Sequence, residues 1–481
     1  MIPGHGNSYA QAAPHFCLTA NTMAHQRDNR VLPGIFAIAI LLRLAAAVYF
    51  GDSTDPAIDE FSYSALAARV ADGHGFSFDE DWYPFTPAGT LTAHWSFLYT
   101  GFVAAIYAIA GYHPLVVRLV QSILGGILLP WLAYHLTKRL FPARHSVAVI
   151  AAACTAIYAY FILYAALLMT ETLFIAALLW SLERAMALAG SGDGQAAWRW
   201  ETAATLGVSL GLAALLRQSI LPWVALLFVW LLAKAFTGRE SNNPLHLRVR
   251  RGGMVVATGL IILLSILPFT VRNYLAYGEL MLLNSNAGYA MYSAQHPLHG
   301  TDFQAFTAAP LPQELLRQGL NEAQWDRALM ARGIGFVLAD PIRYFRLSAS
   351  RLLDYFEFWP TETTLLHNAG RLLSFTLFLP VFVAGIWTAA RQNRRQSQDR
   401  VGLWRRPAGL VFLFMLFYTV LHIFTWAMPR YRLPVDAVAM PFAALALQEA
   451  GQWVHRCWAK GWRLMGYQVN EPNPAPKDGH G

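Results

Sequence analysis

The sequence predicts an all-α polytopic membrane protein, and three observations carry that prediction. Hydrophobic residues make up 56% of the 481 and charged residues only 13%, against about 25% charged in an average soluble domain. Mean hydropathy is +0.36. Long apolar runs alternate with short clusters of Arg and Lys, the pattern of spans joined by basic loops. The formal charge of +8 is therefore not a nucleic-acid signature, because its bases sit between apolar runs where anionic headgroups lie.

Residues 1–30 are polar, with Arg27 and Arg30 just ahead of the first run at 31–50, which reads as an uncleaved signal anchor behind a cytoplasmic tail. Further runs fall near 96–110, 116–137, 146–164, 168–188, 202–217, 219–236, 253–271, 371–390, 408–427 and 434–450. A span needs about 20 residues, so 96–110 is short. Placing it along the outer surface puts Lys138, Arg139, Arg144, Arg184, Arg199, Lys234, Arg239, Arg248, Arg250, Arg251, Arg391, Arg394, Arg395, Arg400, Arg405, Arg406, Arg456, Lys460 and Arg463 on one cytoplasmic side. The expectation is a bundle of about 10–11 spans with both termini in the cytoplasm.

That topology divides the chain into a transmembrane core over 31–271 with an acidic outer loop at 51–115, an outer segment at 272–370, closing spans over 371–450, and a cytoplasmic tail at 451–481. Within the outer segment, 322–358 has an apolar helical face flanked by Arg343, Arg346 and Arg351, fitting either an interfacial helix or a small packed subdomain. Pro341 should break it at Asp340. The three cysteines, Cys17, Cys154 and Cys457, give no disulfide or zinc spacing. From Glu471 onward the composition is that of a disordered end.

The acidic loop is the first candidate site. Asp52, Asp55, Asp59, Glu60, Asp72, Asp79, Glu80 and Asp81 oppose a single base, Arg69. Residues 60–72 read as an amphipathic helix ended by Gly73-His74-Gly75, with Glu60 and Tyr63 on one face. Asp59 then stands at the helix start, either as a cap or as a general base or metal ligand, with Asp55 as the spare. The run Asp79-Glu80-Asp81-Trp82-Tyr83 is either a solvated loop or part of an acceptor groove. Arg43 and Arg118 lie near enough to span ends to snorkel. Arg217 sits at an outer span end. His296 and His299 with Asp302 could hold a metal or simply form a polar loop.

Asp59-Glu60-x-x-Tyr63 followed by Gly73-x-Gly75-Phe76 resembles the first outer loop of the family 39 glycosyltransferases, members of the GT-C superfamily that include protein O-mannosyltransferases and the lipid A aminoarabinose transferase. Thr170-Glu171-Thr172-Leu173-Phe174, Pro268-Phe269-Thr270-Val271-Arg272-Asn273-Tyr274, Asn284-Ser285-Asn286-Ala287-Gly288-Tyr289 and Pro429-Arg430-Tyr431-Arg432-Leu433-Pro434 follow in the family's order. The resemblance covers most of 32–450. It implies a GT-C-type bundle with outer interfacial helices that takes sugar from a polyprenyl-phosphate donor to a lipid, glycan or protein acceptor. Asp59 and Glu60 would be the catalytic pair, Arg272, Arg430 and Arg432 would hold the donor phosphate, and Tyr63, Glu171 and His94 would contact substrate. One departure is Thr92-Ala93-His94-Trp95-Ser96-Phe97-Leu98-Tyr99, where the family often places (E/K)-x-P-P-L-Y; no lysine stands there.

The expected protein is thus a hexosyl- or pentosyltransferase of the bacterial inner membrane with a periplasmic site. No cofactor is required by the sequence, and a divalent metal is left open. An O-antigen ligase or polymerase using His296 and His299 is one rival. A lipid-linked sugar transporter or flippase is another, which would place polar groups near the midplane rather than at span ends. No phosphate-cradling Gly-rich loop marks a soluble nucleotide-sugar site.

Overall fold

Backbone amides inside a bilayer have no water to bond, so a chain this apolar must satisfy them internally, and it does so with helices throughout. The computed structural model describes residues 14–56, 58–190, 198–236, 245–362, 364–395 and 406–464. The tail from Glu471 and the basic residues Arg239, Arg400 and Arg405 lie outside the described residues. In order the helices are α1 (Pro14–Phe50), α2 (Asp59–Ala71), α3 (Phe97–Ala110), α4 (Pro114–Leu140), α5 (His145–Ile157), α6 (Ala159–Ala165), α7 (Glu171–Leu188), α8 (Trp200–Leu216) and α9 (Leu221–Phe236). They continue with α10 (Leu245–Tyr277), α11 (Asn286–Gln295), α12 (Gln313–Leu316), α13 (Glu322–Ala339), α14 (Pro341–Tyr355), α15 (Leu365–Arg371), α16 (Leu377–Arg395), α17 (Pro407–Phe424) and α18 (Pro429–Leu464). Among the described residues there is no strand, only the isolated bridges Ser77–Leu91 and Trp82–Thr86, which fold the loop after α2 back on itself.

Seven helices are long and apolar enough to cross a membrane, or eight if α5 and α6, bent by 54° at Tyr158, form one broken span. This is a multi-pass membrane protein. The remainder of the expected 10–11 runs resolves into three shorter or more polar elements. Helices α3 and α8 have only 14 and 17 residues, and α7 carries Glu171, Glu183 and Arg184. All three are built into the bundle, α8 lying between α7 and α10. One continuous core runs through the bundle.

The segment between α10 and α15 combines both shapes that its sequence allowed. Helices α11 and α13 pack around their own small core of Tyr289, Tyr292, Trp325 and Leu329. The start of α13 is fixed by a capping box, Asn321 accepting from the Gln324 amide at 3.0 Å while the Gln324 side chain accepts from the Asn321 amide at 3.1 Å. Pro341 takes the first position of α14, and Asp340 caps it by accepting from the Arg343 amide at 2.9 Å. Helix α14 leaves Ile342, Phe345, Leu352 and Leu353 exposed, an apolar face of the kind that lies in a bilayer interface.

Candidate active site

The polar interest concentrates at the end of the bundle where α2 sits. Helix α2 starts at Asp59 itself, behind Ile58 in extended conformation and with no side-chain cap. The capping reading of Asp59 therefore falls, and its carboxylate is turned to another partner. Arg430, in the first turn of α18, donates from Nη1 to Asp59 Oδ2 at 2.7 Å. The pair is partly open to the outside, with side chains 38% and 17% exposed.

A second acid–base pair lies against the first. Glu171 opens α7, fully buried, and is ion-paired with Arg217, whose Nε also donates to Thr170 Oγ1 at 2.8 Å. Tyr431 joins the two pairs: its ring lies 5.1 Å from the Arg430 guanidinium and 5.7 Å from that of Arg217. Arg430 Nε and Glu171 Oε2 are buried without hydrogen-bond partners. Two opposite-charge pairs thus share a small volume, and each keeps one unspent polar atom there.

Tyr63 and His94 line the same region. The Tyr63 ring packs edge-on to Trp95 and Tyr99 at 5.3 and 4.9 Å. Burial drives the Tyr63 phenol well above its ordinary range, helped by the negative charge of Asp59. Burial pushes His94 down to about 4, against an opposing pull from Asp59, so its imidazole is neutral near pH 7. Its Nδ1 is buried and unpartnered. Trp82 is stacked between Phe61 and Phe78 at 5.5 and 4.1 Å, while Tyr83 stays exposed beside Tyr289, to which it is hydrogen-bonded. Asp79, Glu80 and Asp81 are exposed loop residues.

Other expected site residues are held elsewhere. Glu60 faces inward: its Oε2 accepts from Arg118 Nη2 at 3.1 Å and from the Leu168 amide at 3.2 Å, and its Oε1 from the Asp55 amide at 3.0 Å. All of its charge is spent joining α2, α4 and the turn before α7, so the structure does not present it to a substrate. Arg118 does not snorkel either; it is fully buried and donates to the carbonyls of Gly51, Ser53 and Ala166. Arg43 is buried in the same manner, on the carbonyls of Ala39, Thr155 and Ala156.

Arg432 is likewise withdrawn. It is 1% exposed, donates from Nε to Asp436 at 3.2 Å and from Nη1 to the Tyr355 carbonyl at 2.7 Å, and its guanidinium lies 3.3 Å from the Phe375 ring centroid. Arg272 belongs to a neighbouring cluster, among the rings of Phe76, Phe97 and Tyr277, with Nη2 buried and unpartnered. His299 uses Nε2 on the Ser293 carbonyl at 3.0 Å and Nδ1 to accept from the Gln304 amide at 3.4 Å. His296 Nδ1 accepts from the Leu298 amide at 3.2 Å. These loop bonds leave no ligand set of the expected kind, and no group of three or more His, Cys, Asp or Glu side chains able to hold a metal occurs among the described residues.

Sequence reasoning passed over His422, whose ring stacks on Tyr431 at 4.7 Å, and Tyr164, whose phenol is close enough to feel Glu171 and Arg430. Neither lies in a motif, so no local signal could have found them.

No protein-family model matches the sequence, and no curated protein matches it. Solved structures do resemble the fold. The archaeal oligosaccharyltransferase AglB from Archaeoglobus fulgidus, in complex with an inhibitory peptide and a dolichol-phosphate, aligns with a TM-score of 0.53 and 16% identity over 92% of this chain and 52% of its own. The Archaeoglobus fulgidus oligosaccharyltransferase tethered with an acceptor peptide gives 0.54 and 16% over 89% and 50%. ArnT from Cupriavidus metallidurans bound to undecaprenyl phosphate gives 0.49 and 14% over 86% and 59%. The chain spans about half the length of the oligosaccharyltransferases that it matches. Its helical bundle shares the fold of those oligosaccharyltransferases.

Proposed function

We propose that this chain is a membrane glycosyltransferase moving a hexosyl or pentosyl group from a polyprenyl-phosphate donor to a hydroxyl of a lipid, glycan or protein. The observation that carries the proposal is the Asp59–Arg430 pair set against Glu171–Arg217 at one end of the bundle. Its setting is the periplasmic face of a bacterial inner membrane, with both termini cytoplasmic. The dolichol-phosphate held by AglB on the same fold supports a lipid-phosphate donor.

The chemistry needs two things that the site has. A hydroxyl is a poor nucleophile, and Asp59 takes its proton as the new C–O bond forms. The bond from the sugar carbon to the carrier phosphate breaks in the same displacement, with inversion, and its electron pair leaves on the phosphate. Arg430 meets that growing charge. Its Nε is unspent, and a phosphate drawing its guanidinium away from Asp59 would free the carboxylate to act as base. Arg217 adds positive charge, Glu171, Tyr63 and His94 would contact the substrate, and Arg272, whose Nη2 is buried without a partner, would hold a further phosphate oxygen. Glu60 and Arg432 act through folding. Among the described residues no group of three or more His, Cys, Asp or Glu side chains is placed to hold a divalent metal.

Asp59→Asn should abolish transfer from a polyprenyl-phosphate sugar in membrane vesicles while the protein accumulates normally. Retained transfer would refute the assignment. Mass spectrometry of lipid-linked sugars and surface glycans from a deletion strain should show one accumulating donor and one missing modification, naming both substrates.

A further inference from the structure

The end of the bundle remote from Asp59 holds a cavity for which the proposed reaction has no use. It encloses about 190 Å³ and is lined chiefly by Arg139, Arg184, Arg199, Glu201, Thr202 and Thr205, several times the space one water needs. Arg139 comes from the last turn of α4, Arg184 from the far part of α7, and the others from the start of α8. About 20 Å of helix separates Arg184 from Glu171, which sets the cavity near the opposite edge of a hydrocarbon layer about 30 Å thick.

Three guanidinium groups around one cavity repel each other and need counter-charge. Glu183 supplies some, accepting from Arg139 Nε at 2.9 Å and from Arg184 Nη2 at 2.6 Å. Arg199 Nη2 pairs with Glu201 at 2.7 Å, and that pair is largely exposed. Among the described residues, three positive groups against two negative ones leave a net positive lining. The exposed Arg199–Glu201 pair is held weakly, so an incoming anion can displace Glu201 at small cost.

We infer that this cavity binds a phosphoryl anion, its oxygens met by the planar fork of Arg199 once Glu201 is displaced and by the remaining N–H groups of Arg184, whose Nε and Nη2 stay on Glu183. Basic pockets between membrane helices at the headgroup level take phospholipid headgroups by this chemistry, and a free phosphate would satisfy the same donors.

The test uses the purified full chain in nanodiscs of phosphatidylcholine. In one arm phosphatidylglycerol is added and the lipids retained are counted by native mass spectrometry; in the other, inorganic phosphate is titrated and thermal stability followed. Phosphatidylglycerol should be retained about tenfold over phosphatidylcholine, the size of one charge-assisted hydrogen bond. Arg184→Gln with Arg199→Gln should remove that preference while Arg139 still covers Glu183. Glu201→Gln, which deletes an exposed opposing charge, should strengthen it by a few fold. A response to phosphatidylglycerol alone assigns a headgroup site, and a response to phosphate that the arginine variants lose assigns a free-phosphate site. No preference for either anion, or a preference unchanged in all three substitutions, overturns the inference.

Discussion

Replacing Glu60 by glutamine removes a single negative charge from the junction of α2, α4 and the turn before α7, and the structure says what that should do. Glu60 and Arg118 have side chains 3% and 0% exposed, with Oε2 and Nη2 3.1 Å apart. Removing one member of a buried ion pair costs about 3–5 kcal/mol, because the other charge is left uncompensated. Glutamine keeps an acceptor for one of the amides of Asp55 and Leu168, and Arg118 keeps three carbonyls, so the expectation is the low end, about 3 kcal/mol. That is roughly a hundredfold shift in the unfolding equilibrium. Asp59→Asn breaks a pair that is partly exposed and worth about 1 kcal/mol or less to the fold. Thermal unfolding in detergent, run beside a transfer assay on the protein that remains folded, separates the two carboxylates. Glu60→Gln should melt early yet transfer sugar within about threefold of wild type per folded molecule, while Asp59→Asn melts normally and transfers nothing; the factor of three is below 1 kcal/mol of barrier. An inactive Glu60→Gln protein of unchanged stability would refute the placement of Glu60 in the scaffold.

Two further outcomes follow from local geometry. His94 is depressed to about 4 by burial against about 6.5 unfolded, so above pH 6.5 both states are neutral and the residue adds no pH dependence. Between pH 6.5 and 4 the unfolded chain binds a proton that the folded one refuses, and stability falls, by about 2 kcal/mol at pH 5. Melting profiles of wild type and His94→Gln from pH 7 to pH 5 should therefore converge or cross as the wild type loses that amount. A Cβ at Gly385 would stand 1.8 Å from the Phe442 carbonyl oxygen, and one at Gly288 would stand 1.8 Å from that of Asp326. Because the obstacle is backbone in both cases, alanine must push α16 from α18 or α11 from α13, at a cost of about 3 kcal/mol or more. Alanine at Gly451, which meets nothing within 4 Å, is the control, and all three are read by thermal unfolding.

Composition and periodicity were enough to determine a helical membrane bundle, since a chain 56% hydrophobic and 13% charged has few other ways to bury its backbone bonds. The break at Asp340 was also legible, because proline acts on its immediate neighbour. Asp59 could be singled out by its motif, but its partner could not. The Asp59–Arg430 bond joins residues 371 positions apart, and pairing over that span is decided only by how helices pack. The same limit explains Glu60 and Arg432. Successive helical residues point about 100° apart, so Asp59 and Glu60 leave α2 in different directions, as do Arg430 and Arg432 on α18. The sequence could propose four polar residues within two short motifs. Only the tertiary structure, by setting which face of each helix meets the bundle, decided that Asp59 and Arg430 form a partly exposed pair while Glu60 and Arg432 are buried against other helices.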